Sequence, residues 1–442
     1  MQDNKPKILI ISSASPLVGP GVLSANYYDA YRSQGYDVDL LTLNKCKDRP
    51  EFLYLQDSAS LMCRIKNKIK FHNKRLYRVA WSILHNCLRY PKPGHFFFYF
   101  KEDNPPVSTK KVLAKVTKPY DMVHVLFWQE MLSFETVLAI YRKLKCFFVF
   151  DCVDYSTMSG GCHFSGDCER YKTGCGCCPA YDSKDPHDFT WFNINYRKKV
   201  YDEVNPLVTG NSYMISFYDQ SVLLKGRPRI ISYPIIDLNA FRPLDKVKLH
   251  EQYGIPEQKT FKILFGCQSI DDERKGIKYL IEAINIFTAE LTDSELSHVL
   301  VMAIGKNFDV VRQQLNSVDT HDFGFVSINE LPSIYSFADV FLCPSVNDAG
   351  PMMVNQSLCC GTPVVGFEMG ACLDAVKDRG TGYCAKLRDS HNFANCIEKI
   401  YRQTPEEREV MRNKCIEHAQ KSYSYDAAVK HMIEAYNKYG KR

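Results

Sequence analysis

Long hydrophobic runs are what this 442-residue sequence lacks. None approaches the roughly 18 to 20 apolar residues that a helix needs to span a bilayer. An apolar signal core is missing too, because residues 1–7 are polar and lead straight into a strand-like segment. The expectation is a cytoplasmic protein, soluble or peripheral on the inner face of the cell membrane, with its thiols reduced. Repeats and low-complexity tracts are absent. The early glycines, Gly19 and Gly21, lack the GxGxxG spacing, which withdraws support from a dinucleotide fingerprint and leaves a glycine-bearing turn beside a ligand, or a turn only. Acidic residues are scarce in one place: residues 44–119 hold five against 17 Lys or Arg, in a chain whose net charge is only +6.

What is present organises as two domains, since 442 residues exceed one ordinary core and 45% hydrophobic content can fill two. Residues 7–13 read as a buried strand, followed by the Gly19 and Gly21 loop, a helix ending near 34 and a strand at 37–43, a βαβ opening. Further strands are expected at 121–127, 147–151, 207–209 and 230–232, and 233–243 reads as an extended linker. The second domain alternates strands at 262–266, 298–305, 323–326, 338–343 and 362–367 with helices at 276–290, 310–316, 331–337 and 352–360. Helices near 388–403, 405–421 and 424–438 close the chain. The fold class is α/β, with an N-terminal domain over 1–240, a C-terminal domain over 241–422, and a helix in 423–442 for which a return to the N-terminal domain stays open.

The basic segment has its own pattern. A helix in 61–101 would carry Lys and Arg on one side and Ile69, Leu76, Val79 and Trp81 near the other. That suits an anionic membrane surface. A solvated face over a core stripe is the plainer alternative, and nucleic acid the least favoured partner.

Residues 344–367, PSVNDAGPMMVNQSLCCGTPVVGF, constrain the function most. A buried strand ends here, the chain turns at Asn347, Asp348, Ala349 and Gly350, and Pro351 suits the first position of a short helix that Gly361 ends. Such a loop directs backbone N–H groups and a positive helix end into the space above a sheet, where a phosphate is stabilised. Arg274 and Lys275 follow another strand's C-terminal end, where a pyrophosphate needs cations and where ligands of open α/β sheets lie.

These residues, with Phe265-Gly266, Arg274-Lys275-Gly276, residues 323–326, 338–345 and 360–367, resemble the donor-domain motifs of the retaining glycosyltransferases of family 4, which have the GT-B architecture. The resemblance implies two Rossmann-like domains facing a cleft, a nucleotide-diphosphate sugar on the second and a glycan or lipid-linked acceptor presented by the first. It implies no catalytic metal. At the family's Glu-x7-Glu pair this chain has Asp348 and Gln356. By that resemblance Asp348 contacts the transferred sugar, Arg274 and Lys275 the diphosphate, Gln356 the ribose, and the Gly350, Pro351 and Met352 turn completes the anion site. A nucleotide-sugar epimerase of the same fold and an inactive scaffold are the alternatives.

Residues 154–179 are similar to a cysteine-rich segment of family 4 members in bacterial polysaccharide synthesis. Asp154 matches an Asp there, but Val153 stands at the preceding His. His163 and His124 remain candidates for the acceptor side, each with an alternative as a hydrogen-bonded structural residue. Cys162, Cys168, Cys175 and Cys178 are separated by five, six and two residues, with Cys177 to spare. Four thiolates in one loop could close a tetrahedral structural zinc site; disulfides and free thiols stay open.

Overall fold

The computed structural model describes residues 5–57, 101–267, 272–316 and 318–440. Most of the basic segment, including the helix expected in 61–101, lies outside the described residues. The described residues divide into two compact units: those within 1–210, 214–231 and 429–440 form the first, and those within 211–213 and 232–428 the second.

In the first unit the strands are β1 (Ile8–Ser12), β2 (Val38–Asn44), β3 (Leu53–Gln56), β4 (Met122–Val125), β5 (Phe147–Asp151), β6 (Leu207–Gly210) and β7 (Arg229–Ile231). They pair in parallel in the order β3-β2-β1-β4-β5-β6-β7. A central parallel strand is covered on both faces, so β1 opens with an apolar run, Ile8 to Ile11, and every residue of the strand is buried. Strand order reverses between β1 and β4. The helix Tyr425–Tyr439 brings residues 429–440 to this unit, where Tyr436 lies edge-on to Phe147 with ring centroids 5.9 Å apart.

The second unit contains β8 (Phe261–Cys267), β9 (Val299–Gly305), β10 (Asp319–Asp322), β11 (Val340–Cys343), β12 (Val364–Phe367) and β13 (Gly382–Ala385). Their order is β10-β9-β8-β11-β12-β13, all parallel, with apolar clusters on both faces. Here the order reverses between β8 and β11. In an open α/β sheet the crevice beyond the carboxyl ends of the strands at such a reversal is where ligands bind.

Some expectations shift. The strand expected at 323–326 is β10, at Asp319–Asp322, four residues earlier; Phe323 only continues the ladder by donating its N–H to the Ala303 carbonyl at 3.0 Å. Pairing to β9 decides this, not the apolar character of the segment. The 310–316 helix is shorter and earlier, Phe308–Arg312. Pro351 is the N-cap, with extended backbone (ψ 119°), and the helix runs Met352–Cys359.

Candidate functional site

Two loops meet above the β8/β11 reversal. After β8, Asp272 caps a short turn, Glu273–Lys275, and receives the Arg274 guanidinium on both carboxylate oxygens, at 3.1 and 2.6 Å. After β11 comes the turn through Asp348. The Arg274 carbonyl accepts the Val346 and Asn347 amides at 2.8 and 3.3 Å, which joins the loops backbone to backbone. Gly276 permits this approach: its φ is +64°, and a Cβ there would lie 1.9 Å from the Pro344 carbonyl oxygen.

Across the junction the Lys275 ammonium pairs with Asp348 Oδ2. The Asp348 side chain is 11% exposed and that of Lys275 26%. Burial pushes the Lys275 ammonium down, but the Asp348 charge and hydrogen bond outweigh it and hold the lysine above its ordinary value. Gly350 donates its N–H to Asp348 Oδ1 at 3.2 Å. Gly350 therefore serves the carboxylate and Pro351 has no N–H, so among the three turn positions the Met352 amide, at the first residue of the helix, is the candidate donor to a ligand. Asn211 buttresses the turn by donating to the Ala349 carbonyl at 2.5 Å.

Gln356 lies on the helix Met352–Cys359, buried, with Oε1 accepting the Tyr335 hydroxyl at 3.3 Å. Its amide nitrogen is the group it retains for a ligand. Asp348 lies in the loop, so the rotation that eight helical residues would introduce between the two does not apply. Nearby, the Cys372 thiol hydrogen-bonds Cys343, lowering the Cys343 thiol and raising its own.

The first unit holds a separate polar cluster. Buried Asp154 receives the Ser156 amide on Oδ1 at 2.6 Å, and its Oδ2 lies 2.7 Å from His163 Nδ1. The His163 side chain is 30% exposed, so an oriented imidazole meets solvent on a buried carboxylate. The backbone repeats the link, with Tyr155 N–H donating to the His163 carbonyl at 3.0 Å. Gln129 braces Ser156 Oγ at 2.5 Å and Asp154 Oδ2 at 3.4 Å.

This loop rests on a buried ion pair absent from the sequence expectations, Arg197 with Glu102 at 2.5 Å. Arg197 also donates to the Ser156 and Ser159 carbonyls, the latter at 2.5 Å. Asn193 donates to the Gly160 carbonyl at 3.1 Å and Tyr201 to that of Thr157 at 3.0 Å. Only the helix pattern of 189–204 could have hinted at these inward polar groups, since Glu102 and Arg197 are 95 residues apart.

The remaining candidates are placed differently. His124, on β4, is completely buried against Tyr27, with ring centroids 4.7 Å apart and neither ring nitrogen hydrogen-bonded among the described residues. It is a core residue and faces no acceptor, which corrects that expectation. Gly21 heads the helix Val22–Ser33, where a Cβ would lie 1.9 Å from the Ser15 carbonyl oxygen; Gly19 has φ +55° and open space around it. Asp37 and Asp39, spaced as Asp-x-Asp, are engaged by Lys118 at 3.3 and 2.8 Å. Cys162, Cys168, Cys175 and Cys178 all line one cavity. Among the described residues no three His, Cys, Asp or Glu side chains form a ready metal-ligand group.

Comparison with known proteins finds a family match over these loops. The model for "Glycosyl transferases group 1" matches residues 246–422. A D-inositol 3-phosphate glycosyltransferase of Arthrobacter sp. (strain FB24) is 27% identical over 177 residues, 39% of this chain and 41% of the relative. The match thus spans less than half the length of that curated relative. Among solved structures, sucrose-phosphate synthase (tll1590) from Thermosynechococcus elongatus is 15% identical with a TM-score of 0.66, covering 98% of this chain and 99% of that one. Anabaena Alr3699/HepE, solved in complex with UDP and glucose, is 14% identical with a TM-score of 0.62 over 98% and 99%. Both likenesses concern the fold, two parallel Rossmann-like sheets of GT-B type. Residues 246–422, which carry Arg274, Lys275, Asp348 and Gln356, thus match the glycosyl transferases group 1 model, and they form the second sheet of a GT-B fold.

Proposed function

We propose that this protein is a retaining glycosyltransferase that moves a sugar from a nucleoside-diphosphate sugar to a glycan or lipid-linked acceptor in surface polysaccharide synthesis, at the cytoplasmic face of a membrane. The observation that carries the reading is the Lys275–Asp348 pair, set where strand order reverses between β8 and β11. A diphosphate brings two negative charges to Arg274 and Lys275, so the cations that hold the loops together also receive the leaving group. Asp348 then contacts the sugar hydroxyls and opposes the positive charge that grows at the anomeric carbon. Gln356 offers its amide nitrogen to the ribose. In the first unit Asp154 orients His163, whose exposed edge can hydrogen-bond a sugar hydroxyl. Configuration is retained when the acceptor enters on the face the leaving group departs from. No catalytic metal is invoked.

The test uses the full chain. A panel of nucleotide sugars in a thermal-shift assay should contain at least one member that raises the melting temperature by several degrees, because binding to the native state adds stability. With that donor, Asp348→Asn and Lys275→Met should each lower transfer by about 100-fold, the scale of losing one aimed electrostatic group. NMR of the product should show the donor's anomeric configuration. No response from any nucleotide sugar would overturn the donor assignment. Turnover without an acceptor would replace transfer by epimerisation.

A further inference from the structure

Five cysteines lie between residues 162 and 178, and the fold sorts them. Cys162, Cys168, Cys175 and Cys178 line a cavity of about 20 Å³, together with Arg170, whereas the Cys177 thiol turns to the Lys184 carbonyl at 3.5 Å. Such a volume admits one water-sized particle and no metabolite. None of the four forms a disulfide.

The backbone is built around this sorting. Cys175 and Cys177 adopt left-handed conformations, φ 58° and 43°, which side chains other than glycine rarely take. Gly176 between them has φ +83°, and a Cβ there would lie 2.1 Å from the Pro186 carbonyl oxygen. The Cys178 N–H donates to Asp188 Oδ2 at 2.8 Å. This turn sends Cys175 and Cys178 to the cavity and Cys177 away from it.

The chemistry of the lining selects the ligand. Four sulfur donors from one loop suit a borderline-soft, tetrahedral divalent ion. The resulting site carries a charge of 2−, which Arg170 in the lining and the Arg197 guanidinium near Cys175 oppose.

We propose that Cys162, Cys168, Cys175 and Cys178 bind one structural zinc ion that fixes the loop carrying His163. Binding converts four thiols to thiolates and releases four protons to solvent, with no change of oxidation state. The four thiols are drawn inward onto the cavity they line. Four sulfur ligands leave no position for substrate, so the ion positions and does not catalyse. Cys162 adjoins His163 in the chain, and His163 reaches Asp154. The ion depends on no sugar donor, so this inference and the glycosyl-transfer reading succeed or fail separately.

The full chain, grown with zinc and purified under reducing conditions without an affinity metal, is analysed by plasma mass spectrometry. About one zinc per chain is expected, released by a mercurial thiol reagent and stabilising against heat until a chelator removes it. Cobalt(II) reconstitution should give sulfur-to-cobalt charge-transfer absorption. Cys168→Ser and Cys175→Ser should lose the ion, while Cys177→Ser keeps it. Wild-type protein with under about a tenth of an ion per chain, where a structural site is normally full, would overturn the proposal whatever the variants do. So would a disulfide among the four under these conditions, or Cys177→Ser behaving like Cys168→Ser.

Discussion

His124 shows how much one side chain can set the response to acid. Burial alone pushes its imidazole to about 3, against about 6.5 in an unfolded chain. Between those values the unfolded chain binds a proton that the folded chain refuses. Stability is therefore full above about pH 6.5 and declines by about 1.4 kcal/mol per pH unit as acid approaches the folded value. His124→Phe keeps an aromatic ring against Tyr27 and should flatten the change in urea midpoint between pH 7 and pH 5; an unaltered slope would exonerate His124. Individual residues were unevenly legible. Asp348, Arg274, Lys275 and Gln356 could be named because the motif fixes their spacing. The Lys275–Asp348 contact joins positions 73 apart, and the Asp154–His163 contact spans an irregular loop, so no periodicity announces either.

At the level of elements, the loop following β5 depends on a side chain from the helix Phe189–Val204. Arg197→Met leaves Glu102 charged and buried, a change expected to cost about 3 to 5 kcal/mol. The double variant Glu102→Leu, Arg197→Met should regain part of this, and not all, because Arg197 also holds two loop carbonyls. Urea unfolding checks both; a double variant no better than the single one would mean that the carbonyl contacts, not the charge, dominate. Strands with long apolar runs, such as β8 and β9, were readable because central parallel strands bury both faces. β3, β10 and β13 were missed or displaced. Each is four residues long at a sheet edge; β10 reads Asp-Thr-His-Asp and β13 begins with glycine, so pairing rather than composition defines them.

For the whole molecule, alternation of strands and helices made two doubly wound sheets legible, but not the way the chain closes the first unit. That unit takes residues 429–440 from the far end of the described sequence, with Tyr436 against Phe147. Removing 429–442 should sensitise residues of the first unit to limited proteolysis while sparing 232–428, as mass spectrometry of the fragments would show. Equal protection in both forms would count against a role for the returning segment. A timing consequence follows for synthesis. Everything else in the first unit has been made by residue 231, yet its closing segment is translated only after the second unit. At about 5 to 20 residues per second the ribosome leaves the first unit without its closing helix for about 10 to 40 s. During that interval the nascent chain presents the uncovered surface near Phe147 to chaperones, and emergence of the segment that carries Tyr436 ends the exposure.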